Sequence, residues 1–331
     1  MQATVLILGA RGRFGLAAAR AFADAGWRVL GQMRPGATAP EDPRIEWLGL
    51  GLHDTQALGA AARGAAVVVH ALSPAYTHQA WRAEVAPMLE AAIALTRSLD
   101  ATLMVPGNVY NFGAAMPHVL REDTPQMAQT VKGRIRVAME ARLQHCGVRS
   151  VVIRAGDFFG SGRGSWFDLA MARDLQKGRF TYPGRREVPT AWAYLPDLAR
   201  TFVAVAQRRA QLQSFEVFHF SGYSLTAQQW LDALEPIALA QGWVRPGGHL
   251  TLRRMPWPLL RLGAVFNPMW AALVEMRYLW DTPHALANGK LLALIGTEPH
   301  TPLEIAVHSA LADLGLLEHV PQPTQRSTAA A

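Results

Sequence analysis

The chain has 331 residues, 50% of them apolar and 17% charged, enough to bury a large core in one unit or two closely associated ones. Its net charge of +7 and isoelectric point near 10.1 suit phosphate-bearing ligands, but no basic tract is interleaved with aromatics, so no nucleic-acid partner is expected. The single cysteine, Cys146, excludes an intramolecular disulfide and suits a reducing compartment, and the short first apolar run lacks the basic lead-in of a secretory signal, so a cytoplasmic protein is expected.

Strand and helix signals alternate from the start. Thr4 to Gly15 reads TVLILGARGRFG: an apolar run over 5–8, glycines at 9, 12 and 15, and an amphipathic helix pattern over 13–25. A buried strand, a tight turn and a helix start leave main-chain N–H groups converging where a pyrophosphate sits. Gly9 permits the turn, Gly12 lets a phosphate approach the backbone, and Gly15 lets the helix pack on the strand. Further strands are expected over 27–32, 44–48, 66–70, 101–105 and 149–153. Helices are expected over 55–62, 80–98 and 130–145, with Asp54 as an N-cap and Pro87 kinking or splitting the second of these. The runs Ala66–His70 and Val151–Ile153 are apolar on both faces, so the alternation predicts an α/β fold, a doubly wound parallel Rossmann-type sheet covered on both sides.

After 155 the pattern loosens into a glycine-rich stretch at 160–164, a helix over 165–177, a Pro-, Gly- and Arg-rich loop at 183–189, a helix over 196–209 opened by Asp197 as its cap, a strand over 215–220 and a helix over 226–241. This predicts a dinucleotide-binding core over 1–155 with returning segments near 190–222. A smaller, mostly helical substrate lobe then occupies chiefly 156–318, and the polar tail 319–331 is expected to be disordered. Met255 to Trp280 is rich in Leu, Trp, Phe and Met but is interrupted by Arg261, Asn267, Pro268, Glu275 and Arg277, so it cannot supply a membrane span. An apolar helical pair covering a substrate cleft is expected there, rather than attachment to lipid. His53, His70, His78, His118 and His145 show no metal-ligand spacing, and no metal is expected.

NAD-selective folds carry an acidic residue at the end of the second strand. Here that position falls on Met33, followed by Arg34. Arg34, with Arg11 and Arg13, can instead pair with a 2′-phosphate, which favours NADP(H) over NAD(H). The expected cofactor contacts are Gly9, Arg11, Gly12, Arg13, Phe14, Gly15, Arg34, Leu52 and Ala71.

Several segments together resemble the extended short-chain dehydrogenase/reductase superfamily, in its nucleotide-sugar epimerase/dehydratase branch. They are GARGRFG; Val68-Val-His-Ala71; Val109-Tyr-Asn-Phe-Gly113; Glu122-Asp-Thr-Pro125; Arg154-Ala-Gly-Asp-Phe-Phe-Gly160; and Trp192-Ala-Tyr-Leu-Pro-Asp197. SPAYT, GNVYNFG, KGRIR and EMRYLW narrow the likeness to a bacterial subgroup described as NAD-dependent epimerase/dehydratase-like. The resemblance implies hydride transfer at a nicotinamide on a small carbonyl, hydroxyl or sugar-like substrate, and homodimers through the helices near 80–98 and 130–145. The family's Tyr-x-x-x-Lys pair is missing. Counting back from Glu140 places Lys132 where tyrosine belongs and Arg136 where lysine belongs, and 126–145 contains no tyrosine. Lys132 could serve as acid or base if desolvation lowered its pKa, Arg136 could hold a ribose or phosphate, and Tyr110 and Asn108 could polarise a substrate oxygen. Asp157, Phe158, Trp166, Tyr182, Arg185, Trp192 and Tyr194 occupy stretches that line the substrate cleft in relatives. The alternative is a non-catalytic NADP(H)-binding protein that senses redox state.

Overall fold

In the computed structural model the described residues are 2–318, so the expected tail at 319–331 lies outside them. Seven parallel strands form the central sheet: β1 (Thr4–Leu8), β2 (Arg28–Gln32), β3 (Ile45–Leu48), β4 (Val67–His70), β5 (Thr102–Asn108), β6 (Ser150–Ala155) and β7 (Phe215–His219). Their order, β7-β6-β5-β4-β1-β2-β3, places β1 beside β4, so the chain winds outward in both directions from that pair. β1 and β4 are buried along their whole length, as strands covered on both faces must be.

Helices α1 (Arg13–Asp24) and α5 (Leu195–Gln207) cover one face through Phe14, Ala18, Phe22 and Phe202. On the other face lie α2 (Thr55–Ala61), α3 (His78–Ser98) and α4 (Val131–Gln144), which bury Leu58, Trp81, Leu89, Met139 and Leu143. Asp54 caps α2, its side chain accepting from the Ala57 amide at 3.0 Å, as its position before Thr55 implied. Pro87 sits inside α3 without splitting it. One end of α4 is bolted to the sheet, because Glu140 receives two hydrogen bonds from the buried Arg154 of β6, at 2.6 and 3.1 Å.

Beyond β6 short strands accompany the helices. Asp157–Phe159, Thr190–Tyr194 and Tyr223–Leu225 form one small sheet, Arg179–Tyr182 pairs with Thr251–Arg254, and Val119–Leu120 pairs with Ala285–Leu286. The helices are α6 (Ala227–Ala240), α7 (Trp257–Gly263), α8 (Pro268–Glu275), α9 (Tyr278–Asp281), α10 (Gly289–Ile295) and α11 (Leu303–Asp313). A third apolar cluster centred on Phe159, Phe167, Trp192, Trp230 and Leu311 holds this region together.

Two local expectations are corrected. No continuous helix runs over 165–177. Asp168 takes the Gly164 and Ser165 amides at 2.8 and 2.5 Å, which tightens the entry, and only a wide turn over Phe167–Met171 and a short 3-10 turn over Leu175–Lys177 form. Asp197 does not cap α5. Its carboxylate is buried and accepts from the Thr301 amide and hydroxyl, both at 2.7 Å, while also pairing with Arg200.

Candidate active site

The turn between β1 and α1 is built by glycine. Gly9 adopts φ +75°, strained for any L side chain, and a Cβ there would meet Leu72 at 2.9 Å. A Cβ on Gly15 would stand 2.3 Å from the Gly9 carbonyl oxygen, so any side chain would push α1 away from the loop. The first turn of α1 has no acidic residue and no side-chain cap. The amides of Arg13, Phe14 and Gly15 therefore lack an acceptor within the helix, and the positive end of its dipole faces the loop. The Gly9 amide donates to Gln32 Oε1 at 3.0 Å, and Gln32 Nε2 reaches the Leu50 carbonyl at 2.8 Å. This buried amide at the end of β2 braces the loop. These features fit a diphosphate.

The other residues expected to meet the cofactor differ in their surroundings. Arg11 and Arg34 are exposed and enter no ion pair among the described residues. Arg13 is half-buried, its Nη1 lacks a hydrogen-bond partner, and burial lowers its pKa against the pull of Asp168. Phe14 departs from expectation: its ring turns into the core, 4.8 Å from Phe202, leaving only its amide for a ligand. Ala71 packs against Gly9 and Leu52 against the α3 side of the core.

A cleft of about 350 Å³ opens where β4, β5 and β6 end. Its floor and walls carry Asn108, Tyr110, Arg136 and Asp157, with Tyr76 and Trp81 from the segment after β4. Arg13 and Trp166 close it from the side of the 160–169 segment. Asn108 Oδ1 accepts the Tyr110 amide at 3.1 Å, so its NH2 is the edge free to meet a ligand. Tyr110 keeps its proton, because burial and nearby Asp157 both raise its pKa. Asp157 accepts from Trp280 Nε1 at 2.7 Å, yet burial outweighs that bond and pushes its carboxyl up to about 6. Arg136 donates to the Pro106 carbonyl at 3.3 Å, while its buried Nε has no partner.

Lys132 is placed differently from expectation. It is 0% exposed and does not line the cleft. Its Nζ sits 3.9 Å from the centroid of the Tyr76 ring and 5.3 Å from that of Trp81, with no hydrogen-bond partner, and burial lowers its pKa to about 8 against the pull of Glu275. Tyr76 thus stands between Lys132 and the cleft. Its own hydroxyl is buried beside that of Tyr110, and burial first, with Tyr110 after it, raises its pKa.

Local sequence explains how α4 presents these residues. Thr130 caps the helix through the Gly133 amide at 3.0 Å. Glu275 of α8 accepts the Val131 amide at 2.9 Å and pairs with His78 Nε2 at 2.9 Å, tying the start of α4 to the start of α3.

The structure brings Asp157, Phe158 and Trp166 to the cleft with Asn108, Tyr110 and Arg136. Four other expected lining residues lie elsewhere. Tyr182, Trp192 and Tyr194 are buried in the third cluster, where Thr190 engages the first two, and exposed Arg185 faces Glu187 at 3.9 Å. Sequence reasoning missed Tyr76, Trp81, Trp280, Gln32 and Glu275. Tyr76 lies within the SPAYT segment, and Glu275 and Trp280 open and close EMRYLW, so the motifs contain all three without giving them a role.

A family model described as the RmlD substrate binding domain matches residues 3–238. No curated protein matches the chain. Among solved structures, a Burkholderia cenocepacia J2315 protein described as an epimerase superposes with TM-score 0.73 at 19% identity, over 94% of this chain and 97% of that one. The Bordetella bronchiseptica enzyme WbmH, in complex with NAD+, gives TM-score 0.72 at 16% identity, over 95% and 98%. UDP-glucose 4-epimerase of Thermotoga maritima, with UDP-glucose, gives 0.69 at 13%, over 94% and 98%. At these identities the likeness establishes the shared fold. Among the described residues no helix is long and apolar enough to cross a membrane.

Proposed function

The chain belongs to the RmlD substrate binding domain family, and from that premise we propose that it is an NADP(H)-dependent oxidoreductase or epimerase/dehydratase-like enzyme acting on a hydroxyl or carbonyl of a small, sugar-like compound. The observation that carries this reading is the continuity of two features: a glycine turn with free helix-start amides, and a cleft beside it lined by Asp157, Asn108, Tyr110 and Arg136. WbmH is in complex with NAD+, and the Thermotoga epimerase with UDP-glucose. Such a coenzyme would supply hydride exchange at its nicotinamide. The Gly9–Gly15 turn would hold its diphosphate, and Arg34 with Arg11 its 2′-phosphate.

The remaining work falls to the side chains of the cleft. Asp157, titrating at about 6, takes the proton from a substrate hydroxyl during oxidation and returns it during reduction. Asn108 and the neutral phenol of Tyr110 donate hydrogen bonds to the substrate oxygen. Arg136, which cannot shed its proton and lines the cleft, holds a ribose or an anionic substituent. Lys132 is a positioning residue that acts through the ring of Tyr76, since it does not reach the cleft itself. A titratable carboxyl inside the cleft favours turnover over a purely sensing role. A panel of sugar-like carbonyl compounds tests the reading: NADPH oxidation with at least one member, slowed at least a hundredfold but still measurable in Asp157→Asn, is expected. Coenzyme binding without turnover across the panel would favour the redox sensor. Pairing of two copies through α3 and α4 belongs to the same reading, and a monomeric mass in solution would remove it.

A further inference from the structure

We infer that the α7–α8 hairpin docks the protein onto an anionic lipid surface. Sequence reasoning expected this segment to cover the cleft, and Met269 does line it. The rest of the tip faces outward. Leu259, Leu262, Val265 and Phe266 are 65%, 73%, 81% and 88% exposed, and Met269 is 39% exposed. These account for five of the eleven large apolar side chains exposed among the described residues, all within 259–269, so the patch is concentrated rather than scattered.

The hairpin is not a loosely attached piece. At its base Trp257 is buried, donates from Nε1 to the Pro183 carbonyl at 2.8 Å and stacks on Trp280 at 5.9 Å. Glu275, at the end of α8, is bonded to both α3 and α4. A rigid root therefore presents an apolar tip that the fold leaves uncovered.

Charge decides the occupant. From Pro236 to Val274 the sequence contains no Asp or Glu. Arg253 and Arg254 lead into α7 and Arg261 lies on it, all exposed and none in an ion pair among the described residues. An exposed apolar tip with one unpaired arginine on its first helix and two more leading into its root is the pattern that sinks into the headgroup boundary of an anionic bilayer. A second copy of this chain would bring the same arginines face to face across a symmetric contact. Docking would hold the side of the cleft bearing Leu169 and Met269 next to the lipid surface.

Flotation of the full chain tests this with vesicles of phosphatidylglycerol and phosphatidylethanolamine against vesicles of phosphatidylcholine alone. At low ionic strength the protein should partition at least tenfold more strongly to the anionic vesicles. The Leu262→Asp/Phe266→Asp variant should lose at least tenfold of that binding, and so should Arg253→Glu/Arg254→Glu, whose apolar tip is intact. Unchanged thermal unfolding of both variants would show that the fold survives, as their exposure implies. Failure of the native protein to float with anionic vesicles overturns the inference. So does equal binding to both vesicle types, or concentration-dependent self-association abolished by Phe266→Asp in protein that does not float.

Discussion

Replacing Lys132 by Met should stabilise the protein at neutral pH. The ammonium dissociates at about 8 rather than at 10.5, because burial disfavours the charged form. At about 1.4 kcal/mol per pH unit, the protonated side chain then costs the folded state about 3 kcal/mol. The faces of Tyr76 at 3.9 Å and Trp81 at 5.3 Å return part of this, on the order of 1–2 kcal/mol for a desolvated cation. Methionine has a similar reach, carries no charge and packs against the same rings, so a net gain of about 1–2 kcal/mol is expected at pH 7. The pH dependence carries the diagnostic sign. The unfolded chain binds this proton more tightly than the folded one, so the penalty is complete below about 8 and disappears as the pH rises to 10.5. Chemical denaturation of both proteins between pH 7 and 10.5 should show the Lys132→Met advantage shrinking towards zero. A variant less stable than the native protein at pH 7, or an advantage constant across that range, would refute the placement of an unpaired ammonium beneath Tyr76.

Other consequences are separable. Oxidation of a hydroxyl substrate should gain rate as pH rises through about 6, where Asp157 ionises, and Asp157→Asn should abolish that limb of the profile; an unchanged limb would assign the proton to another group. Arg34→Ala should weaken NADP+ by about tenfold to a hundredfold, the loss of charge-assisted hydrogen bonds worth about 1.5–3 kcal/mol, while leaving NAD+ within about twofold. Equal losses, read by fluorescence titration, would discard the 2′-phosphate assignment. Glu275→Ala frees the Val131 amide and His78 together and should cost about 1–3 kcal/mol in denaturant unfolding. No loss would mean that the hairpin root is held by Trp257 and its neighbours alone.

The sheet was readable because β1, β4 and β6 are built around short apolar runs, with glycine and helix-start signals at fixed offsets from them. Glycine identity at 9 and 15 made the turn between β1 and α1 readable, since a positive φ and a 2.3 Å approach strain any other residue. The cleft was only half readable. Lys132 and Arg136 lie one turn apart on α4, and spacing alone could not reveal that Tyr76, from the segment ahead of α3, would cover the first and leave the second open. Trp192 and Tyr194, two residues apart, share one face of a strand that is buried throughout, so their spacing did not mark a ligand side. The 165–177 segment carries helix-compatible residues, yet only the wide turn over Phe167–Met171 and the 3-10 turn over Leu175–Lys177 form, and residue spacing did not mark that break. Outward-facing Leu262 and Phe266 fit a covering helical pair equally well by sequence, because exposure depends on what the rest of the chain leaves bare.

Calorimetric titration of the purified protein with NADP+ and NADPH, alongside Gly15→Val, tests the central claim most directly. Native protein should bind at a single site, and the valine variant, folded but with α1 displaced from the Gly9 carbonyl, should bind at least a hundredfold more weakly. Absence of binding heat with NADP(H) and NAD(H) alike, or equal binding by the two proteins, would contradict a diphosphate seated on the Gly9–Gly15 turn.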